Sequence, residues 1–143
     1  MTKARAQAHD CLRSPAVSYA AVRQYQSASN SVLFDDTSPH QLTAKLFDGA
    51  LSRLATARGA MACGETPSKL RAMSGALAII EHLRACLDMQ AGGAISRNLD
   101  ALYDYMLRRL VHANATNDAA AVDEVAGLLR PLADAWERIG TSR

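Results

Sequence analysis

The chain has 143 residues, of which 49% are hydrophobic and 21% are charged, so it is a globular protein rather than a disordered one. A net charge of +2 without a basic stripe argues against nucleic-acid binding, and no apolar run approaches the roughly 20 residues of a membrane span. Aromatic residues make up only 5% while alanine is abundant, and this composition favours an all-α fold.

The N-terminal part is expected to differ from the rest of the chain. Residues 1–15 lack the apolar segment of a secretory signal and are predicted to be a mobile tail. Within residues 16–28, Val17, Ala21, Val22 and Tyr25 recur at helical spacing with Tyr19 beside them, which predicts a short helix that needs a surface to dock on. Residues 16–143 are expected to form a single domain.

Four longer segments follow, each with apolar residues at steps of three and four, and each predicts an amphipathic helix. Their predicted ranges are 38–63, 66–90, 94–114 and 117–139. Ser38, Pro39 and Gln41 have the form of a capping box with proline in the first turn, and Gly64 is predicted to end the helix. Because short loops join antiparallel neighbours, we expect an up-down-up-down four-helix bundle with a short extra N-terminal helix.

Four positions carry more local expectations. Thr66 and Asn117 are predicted to cap the second and fourth of these helices. Gly49 lies within a helix, where glycine costs about 1 kcal/mol relative to alanine, so another backbone is expected to approach closely. Pro131 removes a backbone donor and predicts a kink.

Nothing in the sequence indicates an enzyme. Di-iron bundles use Glu-x-x-His pairs, which this chain lacks. His82 and Cys86 lie four residues apart, but two ligands do not make a metal site. Neither a nucleophile elbow nor a phosphate-binding glycine loop is present. We therefore expect no catalytic residues, no metal and no cofactor.

The helix over residues 98–114 has two chemically different faces. Tyr103 and Tyr105 project about 160° apart, so one of them is expected to be largely exposed. On pattern alone, a wide packing face and an outward groove for an amphipathic partner segment both stay open. The apolar residues expected to hold the bundle together are Leu99, Leu102, Met106 and Leu110.

Several short motifs occur in a defined order over about residues 19–139. They are Tyr19-Ala-Ala-Val22, Ser38-Pro39-x-x-Leu42, Leu46-Phe47-Asp48-Gly49-Ala50, Leu87-Asp88 followed by Gly92-Gly93, Asn98-Leu99-x-x-Leu102-Tyr103-x-Tyr105-Met106, Arg109-Leu110-x-x-Ala113-Asn114, Glu124-Val125-x-x-Leu128-Leu129 and Ala135-Trp136. In this combination the chain resembles the flagellin-specific export chaperones, the FliS family. Phe47 departs from that pattern, because the family often has tyrosine there.

The resemblance implies a cytoplasmic four-helix bundle without enzymatic activity. Such a protein binds the disordered C-terminal segment of flagellin, prevents premature polymerisation and presents flagellin to the flagellar export gate. Physically this is helix-in-groove recognition with coupled folding. The segment around Tyr19 would cover part of the groove in the free protein. The matched positions implied to contact the partner are Tyr19, Val22, Leu42, Leu46, Phe47, Asp48, Asn98, Leu102, Tyr103, Tyr105, Arg109 and Asn114.

Two other functions are weighed against this one. The first is a regulatory adaptor of the same fold that binds other flagellar proteins. The second is a metal-dependent bundle enzyme, which the missing ligands disfavour. Homodimerisation is left open, because an empty apolar groove promotes self-association.

Overall fold

The computed structural model describes residues 38–141, so the predicted tail and the short helix over residues 16–28 lie outside it. This described part contains four α-helices and no strand, which confirms the all-α prediction. From Thr43 onwards the chain forms one compact unit. The division into a tail and a single domain stays a prediction. The helices are α1 (Pro39–Cys63), α2 (Thr66–Ala85), α3 (Gly93–Thr116) and α4 (Ala119–Thr141).

Both ends of α1 follow the local sequence. The Ser38 N–H donates to Gln41 Oε1 at 3.2 Å and the Gln41 N–H donates to Ser38 Oγ at 3.1 Å, so the predicted capping box is confirmed. Gly64 follows the helix with φ of 70°, in the left-handed region that favours glycine.

The ends of α2 differ from the prediction. Glu65 rather than Thr66 occupies the capping position, without a side-chain cap. The helix ends at Ala85, although residues up to 90 were predicted to be helical. Asp88 explains the early end, because its Oδ1 accepts hydrogen bonds from the N–H groups of Gln90 and Ala91, at 3.1 and 2.9 Å, and so stabilises a turn.

The corner between α3 and α4 also corrects the prediction. Asn117 ends α3 with φ of 57° and does not cap α4. Asp118 caps α4 instead, since its Oδ1 accepts from the N–H groups of Ala120 and Ala121 at 3.1 and 3.3 Å. Asparagine tolerates the left-handed conformation that a helix end requires, so Asn117 ends α3. The carboxylate of Asp118 then accepts the hydrogen bonds of the free N–H groups at the start of α4.

The core draws side chains from all four helices. Ile139 and Leu70 lie close to helix ends and are 50% and 45% exposed. Ordinary core burial stabilises by about 1.5–3 kcal/mol for each large apolar side chain. The large side chains that are less than 2% exposed are Leu54, Met73, Ile80, Met106, Leu110, Val122, Val125 and Leu129.

Polar contacts define how α3 lies beside α2. Lys69, near the start of α2, bonds to Asn117 just after α3. Arg84, near the end of α2, bonds to Asp100 near the start of α3. The start of α2 therefore lies beside the end of α3.

A close approach occurs at Gly49, but it involves a side chain rather than a backbone. A Cβ atom at Gly49 would lie 3.4 Å from Cδ1 of Ile79 in α2. The expectation of a close backbone is therefore wrong, although α1 and α2 do meet at this glycine. The proline at 131 lies on the exposed side of α4, and the helix continues through it to Thr141.

Candidate partner-binding surface

The two tyrosines of α3 have different environments. Tyr103 is only 4% exposed and belongs to the core, where burial raises the pKa of its hydroxyl. Tyr105 is 37% exposed, and its hydroxyl donates to Glu124 Oε2 of α4 at 2.7 Å. Tyr105 is therefore the tyrosine that α3 presents to solvent.

Tyr105, Arg109 and Glu124 form a polar bridge across α3 and α4, called here the α3–α4 clasp. Arg109 Nε donates to Glu124 Oε1 at 2.8 Å, so each carboxylate oxygen has one donor. The hydrogen bond from Tyr105, followed by that from Arg109, lowers the pKa of the Glu124 carboxyl. The same hydrogen bond to Glu124 raises the pKa of Tyr105. The clasp fixes two of the predicted contact residues in one orientation at the surface.

On its other side, α3 is tied to α2 by a second set of charges. Arg84 Nε lies 2.7 Å from Asp100 Oδ1, and its Nη1 lies 3.3 Å from Asp104 Oδ1. Arg108 joins the set through Asp104 Oδ2 at 3.0 Å. The hydrogen bond from Arg84 is the main reason that the pKa of Asp100 is lowered. These residues hold α3 against α2 rather than leaving its charges free.

A buried lysine closes the end of this pair of helices. Lys69 is only 8% exposed, and its Nζ donates to the backbone oxygen of Asn114 at 3.1 Å and to Asn117 Oδ1 at 3.2 Å. It thus satisfies a carbonyl in the last turn of α3, which has no partner within its own helix. The side-chain oxygen of Asn114 is buried and has no hydrogen-bond partner among the described residues.

The remaining predicted contact residues divide by exposure. Asn98 and Asp48 are exposed, and Leu42 is 36% exposed. Leu46 and Leu102 are half-buried and pack against the core. Phe47, with 4% exposure, is buried like Tyr103. Tyr19 and Val22 lie outside the described residues. The structure brings Tyr105 and Arg109 together through Glu124, and it gives Phe47 and Tyr103 a core position.

Sequence reasoning did not select Glu124, Arg84 or Lys69 as site residues. Glu124 and Arg84 act through partners 15 or more residues away on another helix, and no spacing rule links such positions. The position of Lys69 could have been recognised from the sequence. It precedes Ala72, Met73 and Ala76 at the spacing of the buried face of α2, so a charged residue occupies a core position.

Several large apolar side chains of the described helices and loops are exposed. No helix in the described range is long and apolar enough to cross a membrane. Residues 38–140 likewise hold no group of three or more His, Cys, Asp and Glu side chains arranged for a metal ion. Besides Tyr105 and Leu42, the exposed large apolar residues are Leu70, Met89, Ile95, Val111 and Ile139.

Comparisons with known proteins give one consistent family. The family model described as "Flagellar protein FliS" matches residues 19–143. A "Flagellar secretion chaperone FliS" from Salmonella typhimurium is 46% identical over 119 residues, covering 82% of this chain and 88% of that protein. A "Flagellar secretion chaperone FliSB" from Pseudomonas aeruginosa is 44% identical over 119 residues, covering 83% and 94%. A "Flagellar secretion chaperone FliS" from Bacillus subtilis is 34% identical over 109 residues, covering 76% of this chain and 79% of that protein.

Proposed function

The chain belongs to the FliS family, and we propose that it is a flagellar export chaperone that binds the disordered C-terminal segment of flagellin. Binding blocks premature polymerisation and delivers flagellin to the flagellar export apparatus. The observation that carries this proposal is the match to secretion chaperones at 44% and 46% identity over 119 residues each. The chaperone acts in the cytosol by binding alone, with no catalytic step and no cofactor.

The proposed architecture is an up-down-up-down bundle, extended by a short N-terminal helix. Pairing of the start of α2 with the end of α3 supports it, as does the pairing of Arg109 in α3 with Glu124 in α4. A bundle of this kind offers long grooves between adjacent helices, into which an amphipathic segment can fold. Ordering of the partner during binding lowers the net affinity, and export needs the complex to be releasable.

The proposed contact surface centres on the outward side of α3. Tyr105 and Arg109 are already oriented by Glu124, and Asn98 and Leu102 extend the surface towards the start of the helix. Phe47 and Tyr103 are buried, so their proposed contribution is indirect. They pack in the core and hold in place the helices that carry the exposed contact residues. On α1, the exposed Asp48 is a further candidate contact. The remaining proposed contacts are Tyr19, Val22, Leu42, Leu46 and Asn114.

Isothermal titration calorimetry of the full chain against the C-terminal segment of flagellin tests this proposal. We expect saturable one-to-one binding at micromolar concentration or tighter, with a negative heat-capacity change from buried apolar surface. The matched control is the same segment with its sequence scrambled. Absence of saturable binding would favour the regulatory adaptor, with other flagellar proteins as partners. Light scattering of the same samples measures whether the free protein is a homodimer.

A further inference from the structure

Among the half-buried arginines that the structure describes, Arg53 in α1 differs from the others because no described residue pairs with it. Four arginines of the described range are half-buried, namely residues 53, 58, 84 and 109. Arg58 pairs with Asp123 at 3.1 Å, and the last two pair with Asp100 and Glu124. Within the part of the chain that the structure describes, Arg53 makes no hydrogen bond and no ion pair.

The side chain of Arg53 lies across the backbone of α2 at Gly75. A Cβ atom at Gly75 would overlap Nε and Cδ of Arg53 and would lie 3.3 Å from its Cζ. A Cβ atom at Gly49 would lie 3.9 Å from Nη1 on the other side. The guanidinium is therefore seated between two glycines, one on each helix. A Cβ atom at Gly75 would crowd it, whereas one at Gly49 would be in ordinary contact with it.

Burial of an unpaired cation costs free energy, and proteins usually offset this cost with an anion or hydrogen-bond acceptor. The planar guanidinium has five donors arranged to bind a carboxylate in two places at once. At Arg53 these donors are unused by the described residues, and the two glycines leave the space that its side chain occupies. The guanidinium is therefore available to a carboxylate ligand.

The neighbours of Arg53 indicate the class of ligand. Leu46 lies seven residues before Arg53, on the same side of α1, and Ile79 of α2 approaches Gly49; both are half-buried apolar residues. One cation between apolar side chains fits a protein segment that carries an acidic residue beside apolar ones. Nucleic acid would instead need a cluster of basic residues.

We propose that Arg53, seated in the α1–α2 seam (Leu46, Gly49, Arg53, Gly75 and Ile79), binds an aspartate or glutamate side chain of the exported protein. This inference rests on the proposed function and adds a specific polar anchor to it. The anchor would fix the register of the bound segment, since apolar contacts alone allow it to slide.

The test compares Arg53→Gln, Arg53→Lys and Arg58→Gln with the unaltered chain, using calorimetry with the flagellin C-terminal segment. Arg58→Gln is the matched control, because it removes an arginine of similar burial from α1 that already has its own partner, Asp123. We expect about tenfold weaker binding for Arg53→Gln, since a charged hydrogen-bonded contact is lost. Arg53→Lys should retain part of the affinity, and Arg58→Gln all of it. Thermal unfolding followed by circular dichroism verifies that each variant is folded.

Each acidic residue of the flagellin segment is then changed in turn to its amide. One of these changes should weaken binding to the unaltered chain but not to Arg53→Gln, which identifies the paired carboxylate. Equal affinity of Arg53→Gln and the unaltered chain would overturn the inference while leaving the chaperone function intact. A tenfold loss without any coupled acidic residue would also overturn it, as would a dimer of the free chain that Arg53→Gln abolishes in light scattering. If the unaltered chain does not bind the segment, the proposed function fails, and the inference fails with it.

Discussion

The seam between α3 and α4 and the seam between α1 and α2 solve the same packing problem in different ways. Across α3 and α4, a tyrosine and an arginine share the two oxygens of Glu124, so the charges of that seam are satisfied internally. Across α1 and α2, glycines at 49 and 75 make room for Arg53, whose guanidinium has no partner among the described residues. The first seam is held by directional bonds, and the second by shape.

This difference bears on where a partner gains the most from binding. A ligand at the clasp has to compete with Glu124 for Tyr105 and Arg109, so part of its binding free energy replaces an existing contact. A ligand at Arg53 displaces no bond made by a described residue, so there it competes with water. The α1–α2 seam therefore offers the larger net gain in binding free energy for each new polar contact.

The largest effect is expected from filling the α1–α2 seam. A Cβ atom at Gly49 would be in van der Waals contact with Cδ1 of Ile79, at 3.4 Å, so the additional atoms of leucine in Gly49→Leu would have to displace neighbours. Overpacking of this kind costs about 1–3 kcal/mol. Gly59→Leu is the matched control in the same helix, because Gly59 is exposed and a Cβ atom there meets nothing within 4 Å. Both variants replace a helical glycine with a better helix former, so both gain about 1 kcal/mol of helix stability from this change.

Urea denaturation measures the two variants. We expect Gly59→Leu to match or exceed the unaltered chain in its free energy of unfolding, and Gly49→Leu to fall below Gly59→Leu by roughly 2 kcal/mol. Equal stabilities of Gly49→Leu and Gly59→Leu would mean that the α1–α2 seam accommodates a leucine without cost. The α1–α2 seam would then not depend on close packing, and its contrast with the hydrogen-bonded α3–α4 seam would not hold.

The sequence predicted the helices well and the contacts between them poorly. The capping box at Ser38 and the end of α1 before Gly64 depend on neighbouring residues, so local chemistry determined them. Asp88 and Asp118 were missed because several polar residues near a helix end compete for the same backbone donors. The pairing of Glu124 with Tyr105 depends on how two helices are placed, which a single sequence does not encode in any spacing.

A smaller effect is expected when the clasp is weakened. Glu124→Gln replaces charge-assisted hydrogen bonds to Tyr105 and Arg109 with weaker neutral ones, which makes both residues more available to a partner. We expect about threefold tighter binding of the flagellin segment, because a larger fraction of the protein is then competent to bind. Asp123→Asn is the control, since it removes the same charge one residue earlier and breaks only the pair with Arg58. Weaker binding by Glu124→Gln alone would contradict this, because the orientation that the clasp imposes would then contribute more to binding than its competition with the partner costs.

The smallest effect, and the one that separates the two seams most cleanly, is the pH dependence of stability. The folded-state pKa of Glu124 is lowered, so its contribution is complete above the unfolded-state pKa of about 4.3 and is lost as pH falls through the folded value. The pKa of Tyr105 is raised, so its contribution is complete below about 10 and is lost as pH rises through the folded value.

The difference in thermal midpoint between the unaltered chain and Glu124→Gln should therefore be constant near neutral pH and shrink towards the acid end. The difference between the unaltered chain and Gly49→Leu should stay constant over the same range, because neither Gly49 nor its neighbour Ile79 titrates. Taking differences within each pair removes the contribution of Asp100, whose pKa is also lowered and which is present in every variant. If the Glu124→Gln difference did not change with pH, the clasp would not be held by the charge of Glu124, and both seams would be held by shape.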